Sequence, residues 1–190
     1  MFFPFTNQIS SKSCLNLFSH ENPKPNIYDS FLQSFWMTRW LAISNRTNWE
    51  IARKKNVWGV PQRSKKTIER VKPGDTVLIY VSQQKVDDKL LPSAVTGAFE
   101  VVSEPFEERT KVFVAPEHMG EEIFPYRIKL KPVAIFDPPV EFKPLIPRLK
   151  FITNKTMWTG HIRQAMRVIP EEDYQTVHER CKILNGKTKA

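Results

Sequence analysis

The sequence predicts an α+β domain built on a mostly antiparallel, barrel-like sheet with helices packed around it. Three observations carry that expectation. Runs rich in Val, Ile, Phe and Tyr recur between turn signals. Two short helical patterns interrupt the early strands and a longer one closes the chain. A hydrophobic content of 41% with 12% aromatic residues supplies enough apolar volume for one core in 190 residues.

The elements follow in chain order. From Arg39, RWLAIS reads as a first strand. Thr47, with Glu50 three residues on, forms a capping box and predicts a short helix through about Lys55. Trp58 then falls on a loop with Gly59 and Pro61. RSKKTIERV predicts a further helical turn or two, ended by KPGD, in which Pro73 and Gly74 suit the centre of a type II turn. DTVLIYVS and AVTGAFEVVS are strands, joined by the polar stretch QQKVDDKLLP as a hairpin with a long loop. FPYRIKLKPVAIF is another strand, with Pro132 marking a bulge or an edge. Ile162, Ala165, Met166 and Ile169 recur at helical spacing, leaving Arg163 and Arg167 outward. Pro170 and the acids at 171–173 open a last helix with Tyr174, Val177, Cys181 and Leu184 inward.

Charge narrows the partner. Lys and Arg outnumber Asp and Glu by 29 to 20 and the sequence pI is about 9.6, which favours a polyanion. The excess lies in two segments. Arg53, Lys54, Lys55, Arg63, Lys65, Lys66, Arg70 and Lys72 face only Glu69, and residues 142–170 hold Lys143, Arg148, Lys150, Lys155, Arg163 and Arg167 with no acid. Both segments contain tryptophan, so cations for phosphates lie beside aromatic faces for bases. A solvated helical face would carry a similar charge run.

Other classes find less support. No run of 18 apolar residues is present, so no membrane partner is expected. Cys14 and Cys181 form neither a disulfide framework nor a metal motif, and no metal or cofactor is expected. The start lacks a secretory pattern, and a cytoplasmic location is expected. No P-loop, GxSxG, HExxH or GxGxxG occurs, and catalysis is not expected. Residues 1–36 show no sustained period and predict a disordered extension, or one preceding a true start at Met37.

WLAISNRTNWEIARKKNVWGVPQRSKKTIERVKPGDTVLIYVSQ, followed in order by GAFEVVSEPF, FPYRIKLKPV and LKFITNKTMWTGHIRQAMRVIPEEDY, resembles the EVE domain of the PUA-like superfamily. The resemblance implies a small curved β-barrel flanked by helices over residues 37–185, a flexible tail at 186–190, and binding of nucleic acids or modified bases. The related YTH domains, which bind N6-methyladenine in an aromatic cage, share the order of strand, SN, helix and VW. By position, Ser44 and Asn45 resemble the pair that reads the base edge, Trp58 the first cage tryptophan, and Gly59 stands where YTH has a serine. No motif fixes the second aromatic. Phe124, Tyr126 and Trp158 are the candidates assigned to the pocket, with Phe106 and Phe113 from the same part of the chain.

These residues define an expected module that binds RNA or single-stranded DNA, with a flipped, modified base in the pocket. Arg63, Lys65, Lys66, Lys155, Arg163 and Arg167 are the expected phosphate clamp. Two alternatives stay open. One is an enzyme acting on a nucleotide or modified nucleoside through acids such as Glu100 or Glu104; the other is a protein-interaction subunit of a ribonucleoprotein.

Overall fold

In the computed structural model, residues 37–115, 120 and 122–187 are described. The expected extension at 1–36 and the last residues of the expected tail lie outside them.

Strand β1 (Arg39–Ser44) pairs in parallel with β3 (Thr76–Val81) and antiparallel with β9 (Met166–Ile169). β1 and β3 are buried on both faces, which is why RWLAIS and TVLIYV read as nearly continuous apolar runs. Between them come α1 (Arg46–Lys55), β2 (Val57–Val60), a 3₁₀ turn (Gln62–Ser64) and α2 (Lys65–Ile68). β4 (Gln84–Val86) and β5 (Lys89–Leu91) precede β6 (Ala94–Val101), β7 (Phe106–Glu107) and β8 (Tyr126–Glu141), and α3 (Glu171–Lys187) closes the domain.

The main sheet has seven strands, in the order β2-β8-β6-β3-β1-β9 with β7 on β8. Its long member, β8, joins two parts. The first four residues pair with β2, and the remainder run along β6 with register shifts near Pro132. The sheet curls so that its two ends approach each other, the expected α+β architecture. One core, with Trp40, Trp49, Trp58, Ile79, Phe99 and Ile128, fills the inside of the curl. A second, with Tyr80, Phe136, Phe142, Leu149 and Val177, lies under α3 on the other face.

Local chemistry explains the corners. Gly74 sits at φ +92°, as the third position of a type II turn requires, and the Asp75 N–H closes the turn on the Lys72 carbonyl at 3.1 Å. Asn56 ends α1 in the left-handed region at φ 52°, a conformation that Asn tolerates better than most residues.

Four expectations change. α1 is capped by Asn45, whose Oδ1 accepts from the Asn48 N–H at 2.7 Å, and Thr47 lies exposed within the helix. Asn is at least as good a cap as Thr and directly follows β1, so the helix begins two residues early. QQKVDDKLLP is not a long loop but a small hairpin, turned by Asp87 and Asp88 at φ 45° and 60°. Trp58 lies on β2 rather than on a loop. Residues 162–169 are not one helix: a 3₁₀ turn (Trp158–Ile162) leads into β9, because four apolar positions fit a short strand as well as a helix and the open edge of β1 decides.

Candidate nucleic-acid interface

A cavity of about 220 Å³ opens where the ends of the curled sheet face each other. β1 and the start of α1 supply Ile43, Ser44, Asn45 and Asn48, and β2 supplies Trp58 and Gly59. Phe113 and Phe124 reach it from the segment between β7 and β8, while Arg163, Gln164 and Ala165 approach from the segment before β9. Pro61, Arg63 and Ser82 complete the lining. Backbone bonds hold these pieces in place: the Ile43 N–H donates to Ala165, and the Ser82 N–H to Ser44, each at 2.9 Å.

The walls are aromatic. Phe113 meets Trp58 edge-on at 6.2 Å between ring centroids and Phe124 at 5.8 Å, distances at which such pairs attract. Trp58 and Phe113 are each only 3% exposed, so the indole is a floor of the cavity rather than an open platform. The Trp58 Nε1–H is buried without an acceptor among the described residues, an arrangement that costs about 1–3 kcal/mol while it persists.

Polar groups gather at one side. The Ser44 hydroxyl donates to the Asn45 carbonyl at 2.8 Å. Asn45 spends its side-chain oxygen on the helix cap, which leaves the amide nitrogen as the group that could meet an occupant. Asn48 turns away from the helix, donating to the Val114 carbonyl and accepting from the Val114 N–H, both at 2.8 Å.

The segment bearing Phe113 and Phe124 has a second anchor in Arg127, whose side chain is almost wholly buried. Its guanidinium donates to the Phe124 carbonyl at 3.0 Å and to the hydroxyl and carbonyl of Thr110, and pairs with Glu108 at 2.8 Å. A hydrogen bond from Thr110 and the charge of Arg127 together hold the Glu108 carboxyl below the usual carboxylate range.

Gly59 makes the arrangement possible. A Cβ there would lie 2.6 Å from the Phe113 ring and 3.2 Å from the Phe124 carbonyl. Gly59→Ala is therefore expected to displace Phe113 and cost roughly 1–3 kcal/mol, as overpacking does. A thermal melt against the parent checks this, and an unchanged melting temperature would show that the ring has room to move.

Of the residues expected in the pocket, the structure brings together Ser44, Asn45, Trp58, Gly59 and Phe124, and adds Phe113. Tyr126 does not line the cavity: its hydroxyl donates to Gln62 at 2.7 Å and its ring lies under Lys65. Trp158 packs against Phe142, 5.8 Å away in the second core. Of the expected clamp, Arg63 and Arg163 stand at the cavity, with Arg63 3.7 Å from Glu122.

The other four clamp residues lie off the cavity. Lys65 pairs with Glu69 at 3.8 Å, Lys66 is exposed on α2, and the Lys155 ammonium donates to the Leu149 carbonyl. Arg167 is half-buried, covers the Phe151 ring at 4.8 Å and donates to the His161 carbonyl at 2.6 Å; burial lowers the pKa of its guanidinium from the usual value.

Sequence reasoning did not assign Asn48. A signal was present, since Asn disfavours a helix interior and its place on a buried helical face marks a bond made elsewhere.

The profile of the EVE domain matches residues 38–180. The chain belongs to the EVE domain family. This EVE domain is 49% identical over 142 residues to a UPF0310 protein of Pyrococcus abyssi, covering 74% of this chain and 97% of that one. It is 30% identical over 155 residues to a UPF0310 protein of Saccharolobus solfataricus, covering 78% and 99%. Among solved structures, its fold is shared with a hypothetical protein from Leishmania major, at TM-score 0.58 and 18% identity over 78% of this chain and 97% of that one. It is also shared with human THYN1 protein, solved in complex with 5-methylcytosine containing DNA, at TM-score 0.52 and 14% identity over 74% and 95%. Among the described residues of the EVE domain, no helix is long and apolar enough to cross a membrane, and no three His, Cys, Asp or Glu side chains group as metal ligands.

Proposed function

We propose that this protein binds RNA or single-stranded DNA and recognises one modified base in the cavity between β1 and β2. The observation that carries the reading is the coincidence of three aromatic walls, a Ser44–Asn45 edge and two arginines around one small cavity. A base that enters exchanges stacking in its strand for contact with Phe113, Phe124 and the Trp58 edge. Asn45 offers its amide nitrogen to the base edge. Arg63 and Arg163 take the flanking phosphates, which add affinity without sequence information. The bound partner of THYN1, which shares the fold, supports a methylated base as occupant.

An enzymatic reading has less to rest on. Glu100 pairs with Lys131 at 3.5 Å, and neither Glu100 nor Glu104 lines the cavity, so among the described residues no acid stands where a bound base would present a reacting atom.

Binding should weaken with salt, with a log-log slope of about −0.7 for each single-strand phosphate neutralised. Changing Arg63 and Arg163 together to Ala should flatten that slope by roughly one to one and a half, while the preference for the modified base persists. Titrations at several salt concentrations read both quantities. An unchanged slope would remove these arginines from the path of the strand.

A further inference from the structure

Phe113 sits in an irregular stretch, in no helix or strand, and yet forms the wall that meets Trp58. We propose that Asn48 is the positioning residue of the pocket: by gripping the backbone next to Phe113 it fixes how wide the cavity is, and hence how well one base is told from its modified form. The inference rests on the base-binding reading above.

Asn48 is 6% exposed and makes two bonds to one residue 66 positions away, donating to the Val114 carbonyl and accepting from the Val114 N–H. A side-chain amide here takes the place of a neighbouring strand, satisfying both main-chain groups of a residue that has no ladder. Helix formation does not call for it, since Asn is a poorer helix former than Ala. On the opposite side, the missing Cβ of Gly59 leaves only the space that the Phe113 ring fills. Phe113 is thus held between a backbone that Asn48 fixes and a strand with no room to spare.

The same helical turn also sets the edge reader. The Asn48 N–H donates to Asn45 Oδ1, so one residue fixes Asn45 through its backbone and the aromatic wall through its side chain. A shift of this turn would move both together.

The test uses the full chain, the variants Asn48→Ala, Phe113→Leu (which keeps the buried site filled but removes the ring) and their combination, and two matched pairs of single-stranded oligonucleotides. One pair carries cytosine or 5-methylcytosine, the other adenine or N6-methyladenine. For the pair that the parent discriminates, each single variant should lose most of the preference, falling to under about twofold, and the double variant should fall no further, because the two residues act as one unit. Ala is the better helix former and Val114 is an exposed residue, so Asn48→Ala should lower the melting temperature less than truncation of a core aromatic would. Asn48→Asp keeps the acceptor for the Val114 N–H and should give an intermediate preference; it replaces Asn48→Ala should that variant not fold.

An Asn48 variant with the parent's preference would overturn the inference. So would equal losses of affinity for both strands of a pair, or losses that simply add in the double variant. A parent that shows no preference for either modified base removes the base-binding reading itself, and that result needs no variant.

Discussion

Trp58→Ala should destabilise the domain by about 3–5 kcal/mol, the usual cost of removing a large buried aromatic. For an ordered region of this size that corresponds to a melting temperature lower by roughly 6 to 20 °C. The indole lies in the main core with Val60, Phe113 and Ile128 around it and is 3% exposed, so truncation opens a void between β2 and the rest of the curl. Placed on a loop, Trp58 would have been a ligand platform removable at little cost to the fold. On β2 it serves the core and the cavity at once, so loss of binding by Trp58→Ala says little about the pocket. Trp58→Phe separates the two roles: it keeps a ring and removes the buried Nε1–H, and should melt well above Trp58→Ala. Differential scanning calorimetry of both variants measures this, and a Trp58→Ala melt equal to the parent's would contradict the core placement.

Asp75→Ala is expected to cost about 3–5 kcal/mol, although Asp75 lies away from the cavity. The carboxylate is 3% exposed and accepts three hydrogen bonds, from the Thr38 N–H at 2.9 Å, the Trp40 Nε1–H at 2.9 Å and the Lys72 N–H at 3.0 Å. It ties the entry of β1, the turn before β3 and the largest fully buried side chain into one knot. Truncation leaves the Trp40 indole N–H buried and bare. Asp75→Asn keeps the size and one acceptor oxygen, and should lose distinctly less. Urea unfolding of the two variants gives the comparison; equal midpoints for Asp75→Ala and the parent would show that water replaces the carboxylate.

The strands that place the cavity were legible in the sequence because β1, β3 and β6 are so strongly apolar that pattern alone identifies them. Asn45, Trp58 and Gly59 were legible only through order and resemblance, since nothing local to VWGV says which way the tryptophan points. Phe113 could not be singled out. It lies in a stretch without period, and what brings it to Trp58 is a pair of bonds from a helix 66 residues upstream. Trp158 and Tyr126 misled for a related reason: a tryptophan in a polar stretch, and a tyrosine opening a strand, look free for a ligand until Phe142 and Gln62 are seen to occupy them. The basic residues were legible as charge but not as a path, because among the described ones only Arg63 and Arg163 reach the cavity.

The most direct measurement of the central claim is a titration of the full chain with single-stranded oligonucleotides that differ at one base, unmodified or methylated, on both DNA and RNA backbones. A methyl buried against the aromatic walls contributes about 0.8 kcal/mol, or roughly fourfold in affinity, and hydrogen bonds to the base edge add to that. The expected result is at least that preference for one methylated base, tighter binding to the single strand than to its duplex, and loss of the preference in Phe113→Leu, which keeps the core filled while removing the ring. Equal affinity for every base at that position, on both backbones, would contradict it.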